Sequence, residues 1–168
     1  MTDMRVPIAD QAWRLCDADE SNIDELMGWF RSADQAMIWG GPGFRFPFTP
    51  ATFRQDCHWP AMRSFAMLDP AGNFCGFGQV YERIQRMNLA RLVVHPERRG
   101  EGVGKRLVTM IMHVAPSLLP LDEFSLFVFR DNLPALECYR AMGFSIQDYP
   151  ENQPMADTCF YMTRPVNR

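Results

Sequence analysis

Apolar residues in this chain recur with two different periods that alternate along it. Residues 12–18 alternate apolar and polar side chains as a strand requires, and Ile23, Leu26, Met27 and Phe30 then fall at helical spacing. Ser21, with Asp24 three positions on, is the expected start of that helix. A loop rich in glycine, proline and aromatics follows over 39–48, and Thr49 with Pro50 marks another helix start. Residues 64–68 and 74–84 read as a hairpin around Asp69-Pro70-Ala71-Gly72-Asn73, and 88–94 as the next strand.

Beyond it, Val103, Leu107, Met110, Ile111 and Val114 make one apolar stripe, a helix expected to stop at Pro116 and Pro120. The continuous apolar run 124–129 suits a buried strand. Asn132 is placed to cap a short helix, with Pro134 near its start and Gly143 just past its end. Ala135, Tyr139 and Met142 share one face of it. Residues 144–149 and 158–162 are late strands, expected to pair. The order is β-α-α-β-β-β-α-β-α-β-β, without repeat, low-complexity tract or linker.

With 168 residues, this pattern predicts one domain over 1–168, able to bury about two-thirds of its unfolded surface. A net charge of −3 gives no reason to expect nucleic acid or an acidic membrane surface as partner. Cys16, Cys57, Cys75, Cys138 and Cys159 are scattered, without the CxxC spacing of a zinc or redox site, so no metal is expected. No run reaches the ~18 apolar residues of a membrane span, and a reducing cytoplasm is the expected compartment.

Against the acidic background, one segment is basic: Arg98, Arg99, Lys105 and Arg106 flank Gly100, Gly102 and Gly104. It joins a strand to a helix N-terminus, where first-turn N–H groups lack partners and the dipole favours an anion. A ligand with phosphates is expected. A nucleotide P-loop is excluded, because Gly100 to Gly104 is one residue too short and Arg106 stands where the hydroxyl residue belongs. The dinucleotide fingerprint fails too, since its third glycine would fall on Lys105.

Arg99, Gly102 and Gly104 do fit Arg-x-x-Gly-x-Gly, the loop of the GCN5-related N-acetyltransferases, which the chain resembles here. Asn132, Ala135, Tyr139 and Gly143-Phe144 match that family's later Asn-x-x-Ala-x-x-x-Tyr-x-x-x-Gly-Phe segment. The resemblance covers residues 88–145 well and the first half in outline. It implies the α/β acyl-CoA N-acyltransferase (GNAT-like) fold, a twisted mixed sheet with helices on both faces. It also implies acetyl-CoA as donor and a primary amine of a small molecule or peptide as acceptor, with a homodimer as one possible assembly.

By the same resemblance, Arg99, Gly100, Gly102, Val103, Gly104 and Lys105 hold the pyrophosphate. The backbone of Leu92, Val93 and Val94 meets the pantetheine, and Asn132 and Tyr139 complete the cofactor site. Tyr139 is the expected acid for the leaving thiolate. The family's glutamate base aligns with Asn88, which cannot take a proton. Glu82 on the preceding strand is the nearest replacement, and a water chain ending on backbone carbonyls is equally open. His95, before Pro96, reads as a turn residue, and His58 stays a remote candidate. Trp39, Phe44, Phe46 and Phe48, with Arg45 among them, would wall the acceptor site. The competing reading is a catalytically silent acyl-CoA-binding sensor, which loss of the acidic base favours and retention of Tyr139 and Asn132 opposes.

Overall fold

The computed structural model describes residues 3–4 and 12–167. Among them, eight strands form one sheet: β1 (Asp3–Met4), β2 (Arg14–Asp17), β3 (Ser64–Leu68), β4 (Phe74–Arg83), β5 (Arg86–Val94), β6 (Glu123–Phe129), β7 (Ser145–Gln147) and β8 (Cys159–Pro165). Their spatial order is β1-β2-β3-β4-β5-β6-β8-β7. All pairings are antiparallel except β5 with β6.

The helices are α1 (Glu20–Met27), α2 (Ala33–Gly40), α3 (Pro50–Asp56), α4 (Val103–Leu118) and α5 (Leu133–Ala141). They divide between two apolar layers. Along β3, Phe65 and Met67 enter the layer containing α4 and Leu136 of α5, while Ala66 and Leu68 enter the layer of α1–α3. The strand period of two thus feeds both faces of the sheet. The stripe expected on α4 is buried throughout, with Val103, Leu107, Met110, Ile111 and Val114 all at or below 8% exposure.

Three expectations need correction. Asp19, not Ser21, caps α1, in a reciprocal box with Asn22, because the aspartate's carboxylate reaches the Asn22 N–H at 3.0 Å. An extra helix, α2, occupies 33–40, started by the Ser32 hydroxyl on the Gln35 N–H. Pro116 does not end α4, which runs on to Leu118, while Pro120 lies just beyond it. Thr49 and Asn132 cap α3 and α5 as their spacing requires. No described helix is long and apolar enough to cross a membrane.

Candidate active site

The parallel strands β5 and β6 are paired only at Met87–Phe124 and Asn88–Ser125. Past that rung they part. A cleft of about 730 Å³ opens between them, lined by 89–94 on one side and 126–129 on the other. Asn88 and Ser125 sit at the apex, where the Ser125 hydroxyl donates to Asn88 Oδ1 at 3.1 Å. The parting has a local cause in β5. Phe77 faces Val93 and Gln79 faces Ala90, so two steps along β4 match three along β5. This is a bulge, and Arg91 within it has φ +48°, a left-handed backbone that non-glycine residues rarely adopt. Gly78 lies opposite, where a Cβ would come within 2.8 Å of Leu92 and 2.7 Å of Ile111. Only glycine fits there without a shift.

At the donor end, α4 begins unlike the other helices. Asp19, Ser32, Thr49 and Asn132 each place a side-chain oxygen on the first turn of α1, α2, α3 and α5. The cap of α4 is Gly102, at φ +78°, and among the described residues no side chain caps its first turn. The N–H groups at 103–105 therefore lack a side-chain acceptor at the positive end of a helix dipole. Gly100 shares the positive φ. Arg98 is held off by Asp69 at 2.7 Å and Glu101 at 3.2 Å, and Arg106 lies 4.4 Å over the Trp13 ring. Arg99 lines the cleft itself. An open turn of this kind beside a parted strand edge fits a long ligand that ends in phosphates.

Of the residues singled out in the sequence, Leu92, Val93, Val94, Arg99, Asn132, Tyr139 and Trp39 line the cleft. Gly100, Gly102, Val103, Gly104 and Lys105 follow Arg99 at the α4 N-terminus. Val103 turns its side chain into the core, at 3% exposure, so it can offer a ligand only its backbone. Tyr139 packs edge-on to Phe144 with ring centroids 5.9 Å apart. Burial pushes its phenol well above the ordinary value, and the neighbouring Cys138 adds in the same direction.

Other expectations are not met. Glu82 is exposed and does not line the cleft. Its neighbour Tyr81 does, and alternation along β4 turns Glu82 to the opposite face. Phe44 and Phe46 do not wall the acceptor space. Phe44 is buried against Trp39 and Phe53, and Phe46 stacks edge-on to Phe48, a local core under the loop. Arg45 is paired to Asp56 at 2.8 Å. His95 is the turn residue that its place before Pro96 predicts: it accepts from the Glu97 N–H at 3.1 Å and caps a 3-10 turn, Pro96–Arg98. His58 is exposed, and neither histidine lines the cleft.

Tyr81, Arg83 and Arg91 line it without having been expected there. A signal for Arg91 was present. Met87, Leu89, Leu92 and Val94 all reach the α4 layer, and their spacing of two, three and two betrays the inserted residue.

A sequence model of the family described as "Acetyltransferase (GNAT) family" matches residues 24–144, most of the chain. The chain belongs to that family. GNAT enzymes are N-acetyltransferases that use acetyl-CoA, and this chain is accordingly an acetyl-CoA-dependent acetyltransferase. Solved structures share the fold. A spermidine N-acetyltransferase from Vibrio cholerae, in complex with CoA and spermine, is 17% identical with a TM-score of 0.70, covering 92% of this chain and 96% of its own. The ribosomal-protein-S18-alanine N-acetyltransferase from Escherichia coli is 15% identical with a TM-score of 0.65, covering 93% and 95%. At such identity the likeness is one of fold.

Proposed function

We propose that this chain transfers the acetyl group of acetyl-CoA directly to a primary amine of a small molecule or peptide. The observation that carries the reading is one cleft joining three features. These are the parted β5 edge at Leu92–Val94 and the Tyr139 phenol, which line the cleft, and the open α4 N-terminus at 102–105, to which Arg99 of the cleft wall leads. Acetyl-CoA supplies the activated acetyl group when bound. The backbone at 99–105, with Arg99 and Lys105, would hold its phosphates, and the β5 backbone and Asn132 would hold its pantetheine arm.

Tyr139 is the proton donor for the departing thiolate. A phenol of pKa ~10 giving its proton to a thiolate of pKa ~8.5 is about 2 kcal/mol uphill, and burial adds to that. The same burial keeps the phenol protonated at every pH at which the enzyme would be assayed. No cleft-lining residue among those described is Asp, Glu or His. The amine's proton therefore leaves through water and backbone carbonyls, and Glu82 has no part in it. Thiol release from acetyl-CoA, measured with a panel of amines, tests the reading. Amine-dependent release supports it. CoA binding with no turnover on any amine would favour the silent sensor instead.

A further inference from the structure

Two arginines line the cleft, Arg83 and Arg91, and neither is paired with a carboxylate among the described residues. Arg83 donates from Nε and Nη2 to Gln153 Oε1 at 3.2 and 2.6 Å and from Nη1 to the Tyr81 hydroxyl at 3.3 Å. It lies 4.2 Å over the Phe127 ring. Arg91 donates from Nη1 to Gln79 Oε1 at 2.9 Å, and its Nη2 is 3.5 Å from the Gly40 carbonyl. Its Nε is buried with no partner among the described residues. Every one of these contacts is neutral. Asp56, a carboxylate whose field reaches Arg91, is taken by Arg45 through bonds of 2.8 and 3.0 Å.

A partly buried cation facing only neutral acceptors loses solvation without a countercharge, and it is stabilised by any anion brought beside it. Arginine cannot escape the cost by losing its proton, and its planar fork matches a carboxylate or phosphonate. A polycation would meet like charge at both positions. No Asp or Glu among the described residues lines the cleft to receive it.

We propose that the acceptor is a compact amine carrying its own anionic group, a carboxylate or phosphonate of the amino-acid kind, which Arg83 and Arg91 recognise. This rests on the acetyl-transfer reading above. Arg91 is held between the Gly40 carbonyl and Gln79 of β4 and is only partly exposed, so an anion that reaches it as well as Arg83 must be compact. A small molecule meets that requirement, whereas a lysine side chain of a folded protein carries no anion near its amine.

The test compares matched amines by thiol release: an α-amino acid, its decarboxylated counterpart, an aminoalkylphosphonate, spermidine and a lysine peptide. The expected result is kcat/KM at least ~30-fold higher for an anion-bearing amine than for its counterpart. That preference should collapse in Arg83→Gln and Arg91→Gln, with the KM for acetyl-CoA unchanged. Whether the carboxylate or the phosphonate is faster identifies the anion. Equal or better use of the decarboxylated amine, spermidine or the lysine peptide overturns the proposal.

Calorimetric titration of the CoA-bound protein with the same amines separates this from acetyl transfer itself. If no amine turns over, anion-dependent binding that is lost in Arg83→Gln still supports the site, and no such binding overturns it. Arg83 is half-exposed, so its variant decides the matter even if Arg91→Gln does not fold.

Discussion

The Trp39 indole N–H donates to the backbone carbonyl of Arg91 at 2.7 Å, tying the last turn of α2 to the bulge of β5. The ring also stacks on Phe53 with an interplanar angle of 14°, so one side chain both fills the α1–α3 layer and holds the bulged backbone. Trp39→Phe keeps an aromatic ring and removes the donor. An acceptor left unpaired in a half-buried site costs about 1–3 kcal/mol. For a chain of this size, each kcal/mol lowers the melting temperature by about 2–4 °C. Melting should therefore fall by several degrees, and the acceptor KM should rise with that of acetyl-CoA less affected. Calorimetry and steady-state kinetics read both. A variant that melts like the wild type would show that the bond contributes nothing.

Gly102 and Gly104 serve the same loop for different reasons, and substitution separates them. At Gly102, φ +78° makes any side chain strained by roughly 1–2 kcal/mol, although nothing lies within 4 Å of its missing Cβ. Gly102→Ala should lower both stability and acetyl-CoA affinity. At Gly104 a Cβ would make only an ordinary contact, 3.5 Å from Val94 Cγ2. Alanine there gains up to ~1 kcal/mol of helix propensity. Gly104→Ala should thus melt no lower than the wild type while binding acetyl-CoA about tenfold more weakly, a loss near 1.4 kcal/mol. Unimpaired affinity would mean that the ligand does not approach the backbone at 104.

Much of this was legible in the chain. The apolar stripe from Val103 to Val114, the caps Thr49 and Asn132, and the hairpin around Asp69 each depend on neighbours within a few residues, and sequence carries such information. Helix α2 was obscured because Trp39-Gly40-Gly41-Pro42 reads as loop chemistry, and the breakers mark the helix end rather than its absence. Glu82 was misplaced because proximity along a strand says nothing of the face until the register is known. Phe44 and Phe46 look like a binding wall for want of Phe53 and Phe48, whose rings they meet only in the folded layer. Arg83 and Arg91 became visible as a pair only when β4 and β5 lay side by side.

Because no described Asp, Glu or His lines the cleft, the pH dependence should belong to the substrate. An α-amine titrates near ~8 and a side-chain amine near ~10.4. The ascending limb of kcat/KM should move with the acceptor when the two are compared, and Glu82→Gln should alter turnover less than twofold. A limb fixed at one pH for both amines, or a Glu82→Gln variant tenfold slower, would identify a protein base.

Tyr139 joins stability to chemistry through its buried phenol. Its folded-state pKa lies above the unfolded value of ~10, chiefly through desolvation. The group is neutral when protonated, so the protein gains nothing by ionising it. The native state then binds a proton more tightly than the unfolded chain, and that advantage is complete below pH ~10 and lost as pH rises toward the folded value. Tyr139→Phe should therefore flatten the decline in melting temperature above pH 10 relative to the wild type. Below pH 9 neither protein ionises the site, and the difference between them should be one of rate. Turnover should fall at least tenfold, within the ~100-fold or more that a positioned acid can contribute, with the KM for acetyl-CoA nearly unchanged. A fall confined to KM would make the hydroxyl a binding contact, and unchanged turnover would remove Tyr139 from the proton path.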